Sequence, residues 1–295
     1  MTLNQKEYEE FSVEYFKRTR RGILKAHNTG KGKVRVSGIL GRAYAGRDED
    51  IEIAVDSIGE IICNKLLIGK PVHVYSEHSE FGVDENIADE LWALDPKDNT
   101  RLFMEGLKHM WYTVFSAYDA KTLEPKFTMI GDILNNSIRF TRGNENYELG
   151  VSRKKERKIE SSKKIEIDNH FRLASYTMSM KYFIPLFERC ERLFRYFQNT
   201  RTLVYANGGS NIYGDLAAGS LDAYLMVNEP REEIDPGYPI AKNAGWQIVI
   251  VGDNGEFEEY HFEPQKLKRK ESVPAILATA TSELRDRILP YLKVA

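Results

Sequence analysis

Carboxylates fall in three short groups along the sequence, each at the end of an apolar run or in a turn, where side chains converge. Glu77 and Glu80 follow PVHVY in YSEHSEF, Asp95 and Asp98 lie in LDPKDNT, and Glu232, Glu233 and Asp235 fall in EPREEIDPGYP. Hard divalent cations such as magnesium take oxygen ligands, usually one or two carboxylates each with water and substrate phosphate. Carboxylates from three separate turns can hold two such ions about 4 Å apart, the arrangement that clamps the attacking and leaving oxygens of an in-line displacement. In DPKDNT, Pro96 is expected to fix a turn that aims Asp95 and Asp98 to one side. The N–H groups of Asn99 and Thr100, opening the next helix, can then donate to a phosphate oxygen. Each group also has a plainer reading. DPKDNT is equally an ordinary helix-capping turn, Glu77 and Glu80 are then solvated strand-end residues, and EPREEIDPGYP is a polar connection.

The elements that must position these groups can be read from spacing. Leu3 to Lys25 reads as an amphipathic helix, VRVSGIL as a short strand in a hairpin between His27 and Asp50, and Ile51 to Ile68 as a second helix. PVHVYSE is a buried strand with Pro71 at its first position, and ELWALDP a short apolar run that ends in the DPKDNT turn before a helix from RLFMEGL. WYTVFSAYDA and FTMIGDI are adjacent antiparallel strands, followed by SIRF and NYELGV. The charge run from Arg153 to Lys164 breaks the apolar patterning and reads as a solvated interdomain hairpin. It sets an α+β domain over 1–160, expected to carry most of the candidate metal ligands, against an α/β domain over 161–295, expected to close the candidate substrate site. In the second half IPLFERCERLFRYFQ is a helix with Pro185 near its first turn, its aromatic stripe facing a core or a dimer interface. TLVYAN, LDAYLMV, WQIVIVG and VPAILATA are strands, and GSNIYGDLAAG, a segment ending near Asn243 and SELRDRILPYLK are helices.

Composition bounds the partners. The chain has 295 residues, with 42 Lys and Arg against 44 Asp and Glu for a net charge of −2, which excludes a strongly basic nucleic-acid binder. The charge run lacks the interleaved aromatics that stack bases, so no nucleic-acid partner is expected. Two cysteines, Cys63 and Cys190, are too few for a disulfide framework, and both fall on apolar helix faces. Without a signal-like apolar segment at the N-terminus or a run of about 18 apolar residues, the expectation is a cytoplasmic protein with no membrane partner.

Taken in order, the motifs carry a resemblance. Asp56 and Glu60 in VDSIGE, Ser76-Glu77, Asp95 to Thr100, GSNIYGDLAAGSLDAY from Gly209 to Tyr224, and Ala244-Gly245 together resemble the inositol monophosphatase and fructose-bisphosphatase superfamily over residues 50–245. The resemblance implies a two-domain αβαβα layered sandwich of the sugar-phosphatase type. It also implies a magnesium-dependent phosphomonoesterase acting on a small phosphorylated metabolite, an inositol phosphate or sugar phosphate, by metal-activated water. A homodimer is expected. On this resemblance Glu77, Asp95, Asp98 and Glu233, with the Lys97 carbonyl, bind two or three Mg2+ ions. Glu77 and Thr100, beside Asp98, position and help deprotonate the attacking water, and the N–H groups of Asn99 and Thr100 hold the phosphate. The family's last acidic ligand lies eleven positions after the Asp222 equivalent and eleven before the Ala244 equivalent, and both counts give Glu233, with Asp235 as the alternative. Asp56 and Glu60 then act as supporting groups.

Four positions depart from the family pattern: Asn99 stands where a Gly is usual, His78 where a second Glu is, Trp246 where a Gly is, and Ile53 where a Thr is. Asn tolerates the left-handed backbone that the Gly position requires. His78 is either a surface residue or a proton donor, and Trp246 either a core residue or part of the pocket. Arg172, Lys181, Arg201 and Tyr213 are candidates for substrate contact by charge or position. Two alternatives share these motifs: a phosphatase of the bisphosphate-nucleotide type, and a catalytically silent relative that binds a phosphorylated ligand.

Overall fold

A computed structural model of the chain describes residues 2–31 and 54–292, so the expected VRVSGIL strand and Ile53 lie outside the described residues. The chain divides into two compact units, Met1–Gly143 with Tyr147–Arg157, and Asn144–Asn146 with Lys158–Ala295. Among the described residues, no helix is long and apolar enough to cross a membrane.

The first unit opens with helix α1 (Gln5–Thr29), whose start is fixed by a reciprocal cap: the Asn4 side chain accepts from the Glu7 N–H, and the Glu7 carboxylate from the Asn4 N–H. Helix α2 (Asp56–Leu66) packs on α1. The strands are β1 (Val72–Ser76), β2 (Glu80–Gly82), β3 (Glu90–Asp98), β4 (Tyr112–Asp119), β5 (Pro125–Asp132), β6 (Ser137–Arg142), β7 (Glu145–Gly150) and β8 (Lys155–Ile159), in the order β2-β1-β3-β4-β5-β6-β7-β8. Only the β1–β3 pairing is parallel among the registers from β1 to β6. Aromatic side chains fill the layer between sheet and helices. Trp92 stacks on Phe115 with ring centroids 4.7 Å apart, and Phe11 of α1 meets both edge-on.

The DPKDNT segment departs from the expected turn. Strand β3 runs through Pro96 to Asp98, and its register against β4 shifts between Asp95 and Asp98. A proline has no N–H for the ladder, and in a central strand it is accommodated at such a bulge. The five-residue helix α3 (Thr100–Met104) follows.

The second unit is built on a mixed sheet in the order β10-β9-β11-β14-β12-β13. It contains β9 (Arg172–Ala174), α4 (Met180–Phe197), β10 (Leu203–Tyr205), α5 (Ile212–Ala217), β11 (Ala223–Pro230), α6 (Arg231–Ile234), α7 (Tyr238–Asn243), β12 (Gln247–Val251), β13 (Phe257–Glu259), α8 (Pro264–Lys268), β14 (Ser272–Thr279) and α9 (Ser282–Ile288). Strands β9, β10 and β11 are mutually parallel, and β14 and β12 join antiparallel. Alternate residues Ala223, Leu225 and Val227 of β11 face Leu186, Cys190 and Leu193 of α4 with Leu284 and Ile288 of α9, while Tyr224 points to the other face and meets Tyr213 of α5. The two units give an α+β first half and a second half of α/β character, the fold class expected. Helix α4 begins five residues before Pro185 rather than at it, so the proline sits inside the helix, and the backbone leaves helical geometry at Cys190. Trp246 is a core residue, buried with its Nε1 donating to Ser161 Oγ at 2.5 Å. Cys63 and Cys190 are buried free thiols.

Gly59 shows why α2 can lie so close to β3. A Cβ built on it would meet Pro96 Cβ at 2.8 Å and both the Pro96 carbonyl oxygen and the Tyr15 hydroxyl at 3.0 Å. On an open helix Gly→Ala stabilises by about 1 kcal/mol. Here Gly59→Ala is expected to destabilise by roughly 1–3 kcal/mol through overpacking. Urea denaturation gives the sign, and a stabilised variant would refute the close packing of α2 on the bulge.

Candidate active site

The parallel pair β1–β3 sets the site. Ser76 lies opposite Leu94, so the next residues, Glu77 and Asp95, emerge side by side at the carboxyl ends of two adjacent strands, and the Glu77 N–H donates to the Leu94 carbonyl at 3.3 Å. In a regular strand, residues three apart face opposite sides. The bulge at Pro96 removes that alternation, and Asp95 and Asp98 bring carboxylate oxygens within 4.8 Å of each other while only 2% and 5% exposed. Asn99 then takes φ 64°, ψ 42°, the left-handed conformation that suits Gly or Asn, and turns the chain into α3.

Helix α2 delivers a further carboxylate. Asp56 is its first residue and fully buried, and Thr100 Oγ1 lies 2.9 Å from Asp56 Oδ1 and 2.5 Å from the Lys97 carbonyl oxygen. The hydroxyl has one proton and several acceptors around it, so its own lone pairs are left for a donor such as water. His78 is buried in the same cluster, its Nε2 3.5 Å from Glu77 Oε2 and 3.6 Å from Asp56 Oδ2. Burial disfavours the imidazolium, but Glu77, Asp56 and Glu60 outweigh it and hold the ring's pKa up at about 10. The surface alternative for His78 is thereby set aside. Glu80 goes elsewhere: its carboxylate pairs with His73 Nε2 at 3.3 Å.

Lys97 contributes a feature that its sequence position did not announce. Its side chain is fully buried, the ammonium donates to the Asp98 carbonyl at 2.7 Å, and it lies 5.5 Å from the Trp111 ring centroid and 5.9 Å from that of Phe103. Burial pulls its pKa down to about 8 against the attraction of Asp98, Asp56, Asp95 and Glu77. Five carboxylates, Asp56, Glu60, Glu77, Asp95 and Asp98, therefore gather with two basic side chains and keep an acidic excess. Buried like charges at this spacing repel strongly unless a cation joins them. The donors offered are carboxylate and carbonyl oxygens, the set hard divalent ions take, so these residues fit magnesium.

The remaining expected groups belong to the second unit. Glu233 lies in the four-residue helix α6. Asp235, just beyond it, is fully buried and accepts from the Tyr260 hydroxyl at 2.8 Å, and burial pushes its carboxyl up to about 8. Asp222, just before β11, is committed to its own unit, accepting from Ser162 Oγ and from the Arg172 backbone and guanidinium. Tyr213 is fully buried, and Lys181 lies over the Tyr182 ring.

No protein-family model and no curated protein sequence matches the chain. Solved structures do. A protein described as an inositol monophosphatase–fructose 1,6-bisphosphatase aligns with a TM-score of 0.72 at 22% identity, over 97% of this chain and 99% of its own. The chain has the fold of the inositol monophosphatase and fructose-bisphosphatase superfamily. A Pyrococcus horikoshii hypothetical protein with similarities to inositol-1 monophosphatase gives a TM-score of 0.71 at 17% identity, over 99% and 100% of the two chains. An inositol monophosphatase from Anabaena gives 0.67 at 14% identity, over 98% and 96%. On this inositol monophosphatase fold, the β1–β3 carboxyl ends carry the carboxylate cluster described above.

The charge on His78 gives a pH signature. A group whose folded pKa exceeds its unfolded value stabilises fully below the unfolded value, here 6.5, and that contribution is lost as pH rises through about 10. In EDTA the protein is expected to lose stability between pH 7 and 10 that His78→Gln does not, by up to about 1.4 kcal/mol per pH unit. Equal pH slopes for both proteins in urea titrations would show that His78 is not held protonated.

Proposed function

We propose that the chain is a divergent member of this superfamily and a magnesium-dependent phosphomonoesterase that hydrolyses a small phosphorylated metabolite, an inositol phosphate or sugar phosphate. The observation that carries the reading is the joining of Glu77, Asp95 and Asp98 at one strand end with the Asp56–Thr100 hydrogen bond. Glu77, Asp95, Asp98, the Lys97 carbonyl and, from the second half, Glu233 are the groups that would hold two or three Mg2+ ions. When bound, magnesium supplies Lewis-acid stabilisation of phosphoryl and leaving-group charge and lowers the pKa of water.

The chain's own residues do the rest. Asp56 keeps the Thr100 hydroxyl oriented as a donor toward the protein, so that its oxygen accepts a proton of the attacking water, with Glu77 as the second acceptor. The left-handed Asn99 turn aims the N–H groups of Asn99 and Thr100 at the phosphate, where fixed dipoles cost no reorganisation as charge grows. Lys97 and His78 offset part of the carboxylate repulsion from behind the site.

Those same two basic groups favour a second reading, a catalytically silent relative that binds a phosphorylated ligand, since an internal cation can replace a metal's charge without its chemistry. Phosphate release from a panel of phosphorylated polyols, sugars and bisphosphate nucleotides separates the two. With Mg2+, release is expected for at least one member, and Asp95→Asn is expected to lower kcat by about 10²-fold or more. Near wild-type turnover in Asp95→Asn refutes the site. No release from any substrate, together with a Tm raised by Mg2+ and phosphate, favours the silent reading.

A further inference from the structure

The second unit carries a cleft of about 430 Å3 that the proposed reaction does not use, lined by Lys164, Asn169, His170, Phe171, Arg172, Arg201 and Leu203. Its volume falls in the range of small-molecule sites. Three of its side chains, Lys164, Arg172 and Arg201, are cationic, His170 adds an imidazole, and none is acidic.

Two residues expected to contact substrate, Arg172 and Arg201, line it, and its place in the sheet gives them another role. Arg172 and Leu203 are the first residues of β9 and β10, and Asp222 immediately precedes β11, so the cleft lies at the amino ends of three parallel strands. Glu233 follows the opposite, carboxyl end of β11. Arg172 and Arg201, both candidates for substrate contact by charge or position, are thus placed at the far end of this sheet from Glu233.

The cations are held in place and incompletely used. Asp222, fully buried, accepts from Arg172 Nε at 3.1 Å and Nη2 at 2.8 Å, which fixes the guanidinium and leaves Nη1 for another acceptor. Both oxygens of Asp168 take the Lys164 ammonium at 2.8 and 2.9 Å, leaving its third proton, and Thr281 Oγ1 donates to the Lys164 carbonyl at 2.9 Å to pin that backbone. The Asp168 carboxylate also accepts from the His170 N–H at 2.8 Å, shaping the turn that presents His170. Arg201 is exposed and has no ion-pair partner among the described residues. Leu203 and the buried Phe171 supply an apolar wall and floor. A guanidinium held by a buried carboxylate loses little further rotamer entropy on meeting a ligand, and Arg suits multi-oxygen anions through its fork of donors.

We propose that this cleft binds a small multivalent oxyanion, a phosphate-bearing or polycarboxylate metabolite, held by Arg172, Arg201, Lys164 and His170. The proposal is independent of the phosphatase reading. The test is calorimetric titration of the full chain at pH 7, freed of metal on a chelating resin and titrated in metal-free buffer without EDTA, where the metal-free carboxylate cluster repels anions, using inorganic pyrophosphate and citrate as separate probes. Saturable binding of either probe is expected, weakened about tenfold or more by Arg201→Glu and by Arg201→Gln, and unchanged by the control Arg153→Glu. Tighter binding of pyrophosphate identifies a phosphate ligand, and tighter binding of citrate a polycarboxylate. Absence of saturable binding for both probes overturns the proposal, as does equal weakening by Arg153→Glu and Arg201→Glu.

Discussion

Repulsion among buried carboxylates is the constraint around which the first unit is arranged. Asp95 and Asp98 are almost fully covered and within 4.8 Å of each other, with Asp56 and Glu77 on the same cluster. No fold gathers such groups cheaply. The molecule does it by making their backbone positions consequences of stronger interactions. Parallel pairing of β1 with β3 fixes where Glu77 and Asp95 emerge, the bulge at Pro96 turns Asp98 to join Asp95, and the stacked Trp92–Phe115 layer beneath holds β3 against β4. Gly59 lets α2 approach closely enough for Asp56 to reach Thr100. Charge compensation then comes from within, through His78 and Lys97.

Much of this frame was legible in the sequence because it rests on local periodicity. The strands WYTVFSAYDA, FTMIGDI, LDAYLMV and WQIVIVG announce themselves by their apolar spacing, as do helix α1 and helix α2, which among the described residues covers Asp56–Leu66 of the expected Ile51 to Ile68. The DPKDNT segment was harder. Proline next to aspartate normally reads as a turn, and only the neighbouring strand β4 shows that the segment is a bulged strand end. The left-handed backbone of Asn99 is legible from residue type alone, because that preference is intrinsic to asparagine. Strand β13 and helix α8 are short and polar, with no period to reveal them. Pro185 marked a helix but not its start, since Met180 to Ile184 continue the same face upstream.

At the site, residue type predicted chemistry better than it predicted partners. Glu77, Asp95 and Asp98 follow from their motifs, whereas the burial of the Lys97 ammonium against Trp111 and Phe103 depends on rings distant in sequence. The sequence leaves His78 open between surface and function, because the partners that decide it, Glu77 and Asp56, meet it only in the fold. The supporting role that the resemblance implies for Asp56 takes a specific form in its hydrogen bond to Thr100, which holds the hydroxyl beside the carboxylates. Arg172 and Arg201, notable in sequence only for charge, acquire a shared cleft from the parallel start of β9 and β10.

The central claim is that the Asp95–Asp98 strand end is a divalent-metal site. Manganese, a paramagnetic substitute for magnesium, reports on it directly through loss of the free-ion signal in electron paramagnetic resonance. The account predicts saturable binding of Mn2+ by the full chain, competed by Mg2+ and weakened strongly by Asp98→Asn, in a variant that keeps its cooperative melting. Binding unchanged by Asp98→Asn, or no binding in the wild-type protein, would contradict it.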